Sequence, residues 1–202
     1  MNRPEMRTGH GWQIRQEEDD SMELTNMDAA KKEPKVPPAP VKSLVIVFSF
    51  HHGNTRKIAD ALATVLGAPV KTPDLVTPEE IATCDLVGFG SGIYGGTFDP
   101  SILDLADRLP AAAGKPKTFL FSTYGAPEIA ANPEFITGNH DEIRNILEVK
   151  GYAVLGEFGC GGWNTNSFLS YIGGINKGRP DAEDLLDAEA FALRMLAKAR
   201  GQ

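Results

Sequence analysis

The chain has 202 residues, 42% hydrophobic and 23% charged, with a formal net charge of -7, which fits one globular domain plus additional sequence. The acidic balance argues against nucleic acid as a main partner, because phosphate backbones are bound chiefly through excess Lys and Arg. No apolar segment approaches the ~20 residues that span a membrane, and no apolar signal-peptide core stands at the N-terminus, so a soluble, cytoplasmic protein with no membrane partner is expected.

Residues 1–40 hold five prolines, an acidic run over 17–20 and almost no branched apolar residues. Such a composition cannot bury enough surface to offset chain entropy, which predicts a mobile tail ending in the linker KEPKVPPAP and a folded domain over 41–202.

The folded part begins with LVIVFSFHHGNT, residues 44–55. Residues 44–48 are short, branched and apolar on both faces, as in a buried strand of a parallel sheet. From Thr55 onward, Ile58, Ala59, Leu62, Val65 and Leu66 recur at helical spacing until Gly67 and Pro69 stop them. The turn between must expose the first unpaired N–H groups of that helix, where the dipole favours an anion such as phosphate. Gly53 lets backbone approach a ligand, and Asn54 and Thr55 add hydrogen-bonding side chains.

Residues 68–71 read as a short second strand. Thr77, Pro78 and Glu80 predict a brief helix with a capping box. The run DLVGFGSGIYGG, starting at Asp85, is a third strand opening into a glycine loop, with Cys84 assigned to the strand pattern. Asp99 and Pro100 start a helix whose apolar face is Ile102, Leu103, Ala106 and Leu109. A fourth strand over 117–121 exits through Ser122, Thr123, Tyr124 and Gly125. A loose segment precedes a helix over about 139–150, closed by Gly151. The fifth strand covers 152–158. The connection CGGWNTNSFLSYIGGINKGRP is then long enough to be a functional flap, and the last helix starts near Asp181 with Leu185, Ala188, Ala192 and Met195 inward. Strands alternating with helices predict right-handed parallel βαβ units in a doubly wound α/β sheet.

HHGNT after an apolar strand resembles the FMN-phosphate loop of the flavodoxin family, whose usual form is Ser or Thr, any residue, Thr, Gly, Asn, Thr. The match is complete at Gly53, Asn54 and Thr55 and departs at Phe50, His51 and His52. There, two imidazoles stand where the family carries hydroxyls, and imidazoles donate hydrogen bonds more strongly when protonated. The resemblance runs over about 42–199. It implies a five-stranded parallel sheet of order 2-1-3-4-5 with helices on both faces, and FMN at the switch point between strands one and three.

On that resemblance, Phe50, His51, His52, Gly53, Asn54 and Thr55 would hold the phosphate. Gly92, Ile93, Tyr94 and Gly95 would meet the flavin, with Tyr94 stacked on the ring. Ser122, Thr123, Tyr124 and Gly125 would cover its other face and edge, with Tyr124 as a second stacker. Each tyrosine also has a plain reading as a loop aromatic packed on its neighbours, and the glycines as turn residues. The histidines lack a third metal ligand at a supporting spacing, and no Gly-Lys-Ser/Thr completes a Walker loop.

The resemblance implies an FMN-binding electron-transfer protein that docks to redox partner proteins, a reductase and an acceptor. Two alternatives stay open. One is an FMN-dependent NAD(P)H oxidoreductase acting on a quinone or other small acceptor, with the long last connection shaping its pocket. The other is a flavin-free interaction module on the same fold.

Overall fold

The computed structural model describes residues 40–113, 116–127 and 132–201; the expectation of a mobile tail over 1–40 lies almost wholly outside them. Five strands form one parallel sheet in the order β2-β1-β3-β4-β5. They are β1 (Ser43–Phe48), β2 (Val70–Lys71), β3 (Leu86–Gly92), β4 (Lys117–Tyr124) and β5 (Ala153–Gly161). Helices α1 (Asn54–Leu66), α2 (Pro78–Ala82), α3 (Pro100–Arg108), α4 (Pro133–Val149) and α5 (Ala182–Ala199) occupy the connections and the C-terminal end. This is the doubly wound arrangement that the alternation predicts, with the 2-1-3-4-5 order that the resemblance implies.

Alternation along the strands sorts side chains onto two faces. Val45, Val47, Phe119 and Phe121 pack with Ile58 and Leu62 of α1 and Ala188, Phe191 and Met195 of α5. Leu44, Ile46, Val87, Phe89 and Leu120 pack with Ile102 and Leu105 of α3 and Ile143 and Leu147 of α4. Space on the first face is made by glycine. A Cβ on Gly88 would lie 2.3 Å from the Phe119 ring, and one on Gly90 would lie 2.0 Å from that of Phe121. Strand β3 therefore gives up its own side chains there to the phenyl rings of β4.

Several boundaries differ from expectation. Helix α4 begins at Pro133, with the Asn132 side chain accepting from the Phe135 N–H at 2.8 Å. The two prolines suggested a loose segment, but Pro133 stands at the first helical position, where a missing N–H costs nothing. Strand β5 runs on to Gly161, and β4 includes Ser122, Thr123 and Tyr124 rather than releasing them as loop. Parallel pairing of Ser122 with Ser91 and Gly159 continues the ladder through these polar positions. Cys84 lies just before β3 instead of within it. Thr77 caps α2 as expected, but the Glu80 carboxylate binds Lys71 Nζ at 2.6 Å rather than closing a capping box. Helix α5 does carry such a box, between Asp181 and Asp184. Among the described residues, no helix is long and apolar enough to cross a membrane.

Candidate functional site

The connections leaving the C-terminal ends of β1, β3, β4 and β5 meet on one cleft. The first contributes Ser49, His51, Asn54 and Thr55, the second Ile93 and Tyr94 beside Gly92, the third Gly125 beside Thr123 and Tyr124, and the fourth Gly162, Trp163, Asn164 and Asn166.

Two consecutive left-handed residues, His52 at φ 52° and Gly53 at φ 64°, turn the chain into α1. Glycine adopts this conformation freely, whereas a side-chain-bearing residue loses roughly 1–2 kcal/mol there. At His52 the loss is offset by contacts of its ring. The imidazole stacks on the Trp163 indole with centroids 4.1 Å apart and planes 19° from parallel, and its Nε2 lies 2.8 Å from Thr165 Oγ1. Ser49 Oγ accepts from the Arg56 N–H at 3.2 Å, and the Asn54 N–H donates to the His51 carbonyl at 3.2 Å. The first turn of α1 thus borders the cleft with its positive dipole end, the arrangement that favours an anion.

Asn54 is 6% exposed. Its Nδ2 donates to the Trp163 carbonyl at 2.9 Å, while its buried Oδ1 has no partner among the described residues. Such an orphaned acceptor costs about 1–3 kcal/mol and suits a ligand that presents an O–H or N–H. Beside it, Thr55 Oγ1 and Thr123 Oγ1 share a buried hydrogen bond of 2.8 Å that joins α1 to the end of β4.

In the second loop, Tyr94 and Thr97 exchange backbone hydrogen bonds of 2.9 and 3.4 Å around Gly95 and Gly96, both at positive φ. The Tyr94 ring folds back over Gly92, where an added Cβ would come within 2.8 Å of the phenol oxygen. Burial pushes the Tyr94 phenol above its ordinary pKa, with the backbone of Phe50 and His51 acting in the opposite direction. The Tyr94 ring centroid lies 6.4 Å from that of His51 in the first loop.

The fourth connection folds over the others. Asn164 and Ile175 exchange backbone hydrogen bonds of 3.0 and 2.9 Å, Asn164 Nδ2 donates to the Gly125 carbonyl at 3.4 Å, and Asn176 Nδ2 donates to the Ala126 carbonyl at 2.9 Å. Trp163 is fixed further by its indole N–H on the Gly173 carbonyl and its backbone N–H on the Arg179 carbonyl, each at 3.1 Å.

Of the expected site residues, His51, Asn54, Thr55, Gly92, Ile93, Tyr94, Thr123, Tyr124 and Gly125 come together on the cleft. Phe50, His52, Gly53, Gly95 and Ser122 stand outside its lining. Phe50 is 73% exposed. The Tyr124 ring packs edge-on against Phe135 of α4 at 5.3 Å, in a residue only 7% exposed, although Tyr124 also lines the cleft. Ser122 Oγ lies 2.8 Å from His140 Nε2 instead. Sequence reasoning missed Ser49, Gly162, Trp163, Asn164 and Asn166. The signal was present in the Gly-Trp-Asn that follows directly on β5, at the same strand end as the other three loops.

Ser122, His140 and the partly buried Glu157 form a line, with His140 Nδ1–H donating to Glu157 Oε2 at 3.0 Å. Burial would raise the Glu157 carboxyl, but the bonds from His140 and Arg144 outweigh it and lower its pKa to about 2. The three residue types are those of an acyl-transfer triad. Ser122 is 1% exposed and His140 wholly buried, neither borders the cleft, and the line serves to tie β4, α4 and β5 together.

A family profile described as a flavodoxin domain matches residues 45–155. An uncharacterised protein of Methanocaldococcus jannaschii is 38% identical over 156 residues, covering 77% of this chain and 99% of that protein. Oxidised flavodoxin 2 of Bacillus cereus superposes with a TM-score of 0.56 at 19% identity, covering 78% of this chain and 99% of that one. A WrbA-like flavodoxin of Agrobacterium tumefaciens gives 0.54 at 17% identity, with 79% and 98% covered. At these identities the two structural likenesses bear on the fold alone.

Proposed function

The chain belongs to the flavodoxin domain family, and from that premise we propose that it binds FMN in the four-sided cleft and works as an electron carrier. The observation that carries this reading is the orphaned Asn54 Oδ1, a buried acceptor at the mouth of a helix N-terminus. One region thus offers anion-favouring amides and an acceptor awaiting a donor, a combination that suits the phosphate and hydroxylated tether of FMN.

His51, Asn54, Thr55 and the positive end of α1 would hold the tether and phosphate. Tyr94 would supply the aromatic cover, with the backbone of residues 123–125 along the ring edge. The bound flavin would supply the chemistry of accepting and releasing electrons. The protein's part is to bind, orient and exclude water, and to set the potential through apolar cover and hydrogen bonds. Electrons would come from a reductase and pass to an acceptor by surface docking, with no acid or base supplied by the chain.

The test is the absorption spectrum of purified protein before and after FMN is added. A yellow cofactor, or micromolar uptake of FMN, is expected; its absence from well-folded protein overturns the proposal. Bleaching of the bound flavin by NADPH alone would convert the carrier into an NAD(P)H oxidoreductase.

A further inference from the structure

His51 and His52 are neighbours in sequence but not in environment. His51 borders the cleft, with its ring centroid 6.4 Å from that of Tyr94. His52, turned by its left-handed backbone, presents its ring to Trp163 and its Nε2 to Thr165. Resting on the flavin reading, we infer that His52 is a positioning residue that holds Trp163 as the fourth wall of the cofactor cleft, and is not a phosphate ligand.

Trp163 has the properties such a wall needs. Its ring, backbone N–H and carbonyl are each committed, to His52 and Gly173, to Arg179, and to Asn54 respectively. A tryptophan fixed at so many points loses little further freedom when a ligand arrives, which favours binding. His52 covers it with a flat partner close to parallel, a favourable geometry for π systems. The contact also reaches from the first connection to the last, so the phosphate loop and the flap are held by one aromatic pair. Its dependence on ring shape rather than on charge separates it from a phosphate contact, which needs a hydrogen-bond donor.

The test compares Kd values for FMN and riboflavin in wild type, His51→Ala, His52→Ala, His52→Phe and Trp163→Ala. His52→Ala is expected to weaken both flavins by the same factor, about tenfold, leaving the FMN-to-riboflavin ratio at the wild-type value. Trp163→Ala should do likewise, and the double variant should be no worse than Trp163→Ala alone, because both changes break one contact. His52→Phe keeps a flat ring without a donor and should restore most of the affinity. His51→Ala should weaken FMN more than riboflavin.

Selective loss of FMN in His52→Ala, failure of His52→Phe to restore binding, or additive effects in the double variant would each overturn the assignment. A variant that misfolds is recognised by circular dichroism. In that event the emission of Trp163, made the sole indole by Trp12→Phe, decides: exchange of His52 for Phe should leave it in place, and a red shift to that of an exposed indole overturns the assignment. A wild type that binds neither flavin refutes the cofactor reading before any variant is compared.

Discussion

His140 and Glu157 meet at 3.0 Å between α4 and β5, with the histidine fully buried and the carboxylate side chain 13% exposed. Arg144 binds the same carboxylate from the next turn of the helix. A buried anion is stable only when paired and hydrogen-bonded, and Glu157 has both provisions. The pairing anchors α4 to the edge of the sheet nearest the cleft's last wall.

Acid sensitivity follows from this pairing. The folded-state pKa of Glu157 falls from the ordinary 4.5 to about 2, so its contribution is fully present above the unfolded value and is lost as pH drops through the interval between them. The contribution is on the order of 3 kcal/mol. Urea unfolding should show stability declining over that interval in wild type. Glu157→Gln should be flatter there and less stable near neutrality by about 3 kcal/mol. An unchanged pH slope in the variant would assign the decline to other carboxylates.

Glycine at position 90 is required by volume. Gly90→Ala places a methyl in the space of the Phe121 ring and should cost about 2 kcal/mol. Adding Phe121→Leu should recover part of that loss, as a double-mutant cycle in urea would reveal. Strict additivity would contradict the contact.

The Thr55–Thr123 hydrogen bond gives a second cycle. Thr55→Val strands a buried hydroxyl and should destabilise the protein by about 1–3 kcal/mol. Because replacing both partners removes the unpaired group, Thr55→Val with Thr123→Val should be more stable than either single variant. Thermal denaturation without added flavin is the measurement.

Cofactor linkage supplies another prediction. FMN at about a hundred times its Kd should stabilise the fold by about 2.7 kcal/mol, raising the Tm. Asn54→Ala removes both the flap tie and the orphaned acceptor, and should weaken FMN about tenfold. An unaltered Kd would leave the Oδ1 without a ligand.

Tyr94 should tune the potential. Aromatic cover disfavours the anionic reduced flavin, so Tyr94→Leu should move the midpoint positive by about 1 kcal/mol, or about 40 mV for one electron. A negative shift would mean that Tyr94 lies elsewhere when the flavin is bound.

The sheet was legible because β1, β3 and the first half of β4 hold compact apolar runs, and the first loop because its amide and hydroxyl residues sit where a strand becomes a helix. Tyr124 was misread because a polar sequence, Ser-Thr-Tyr, looks like loop when its hydrogen-bond partners are unseen. Its strand pairing and the Ser122–His140 bond are non-local facts. At His52 the residue type suggests a donor, but the direction of its ring, stacked on Trp163, follows from a left-handed backbone that residue type does not reveal. Trp163 escaped notice because the closure of the last connection depends on asparagine side-chain hydrogen bonds between it and residues far back in the chain.

Those asparagine ties also give the cleft a place in the order of synthesis. Asn54 reaches forward to Trp163, while Asn164 and Asn176 reach back to Gly125 and Ala126. A nascent chain that has made only its first four strands owns three loops but no enclosure. Enclosure of the cleft is thus the last step of its assembly, because it needs the final connection folded over the other three.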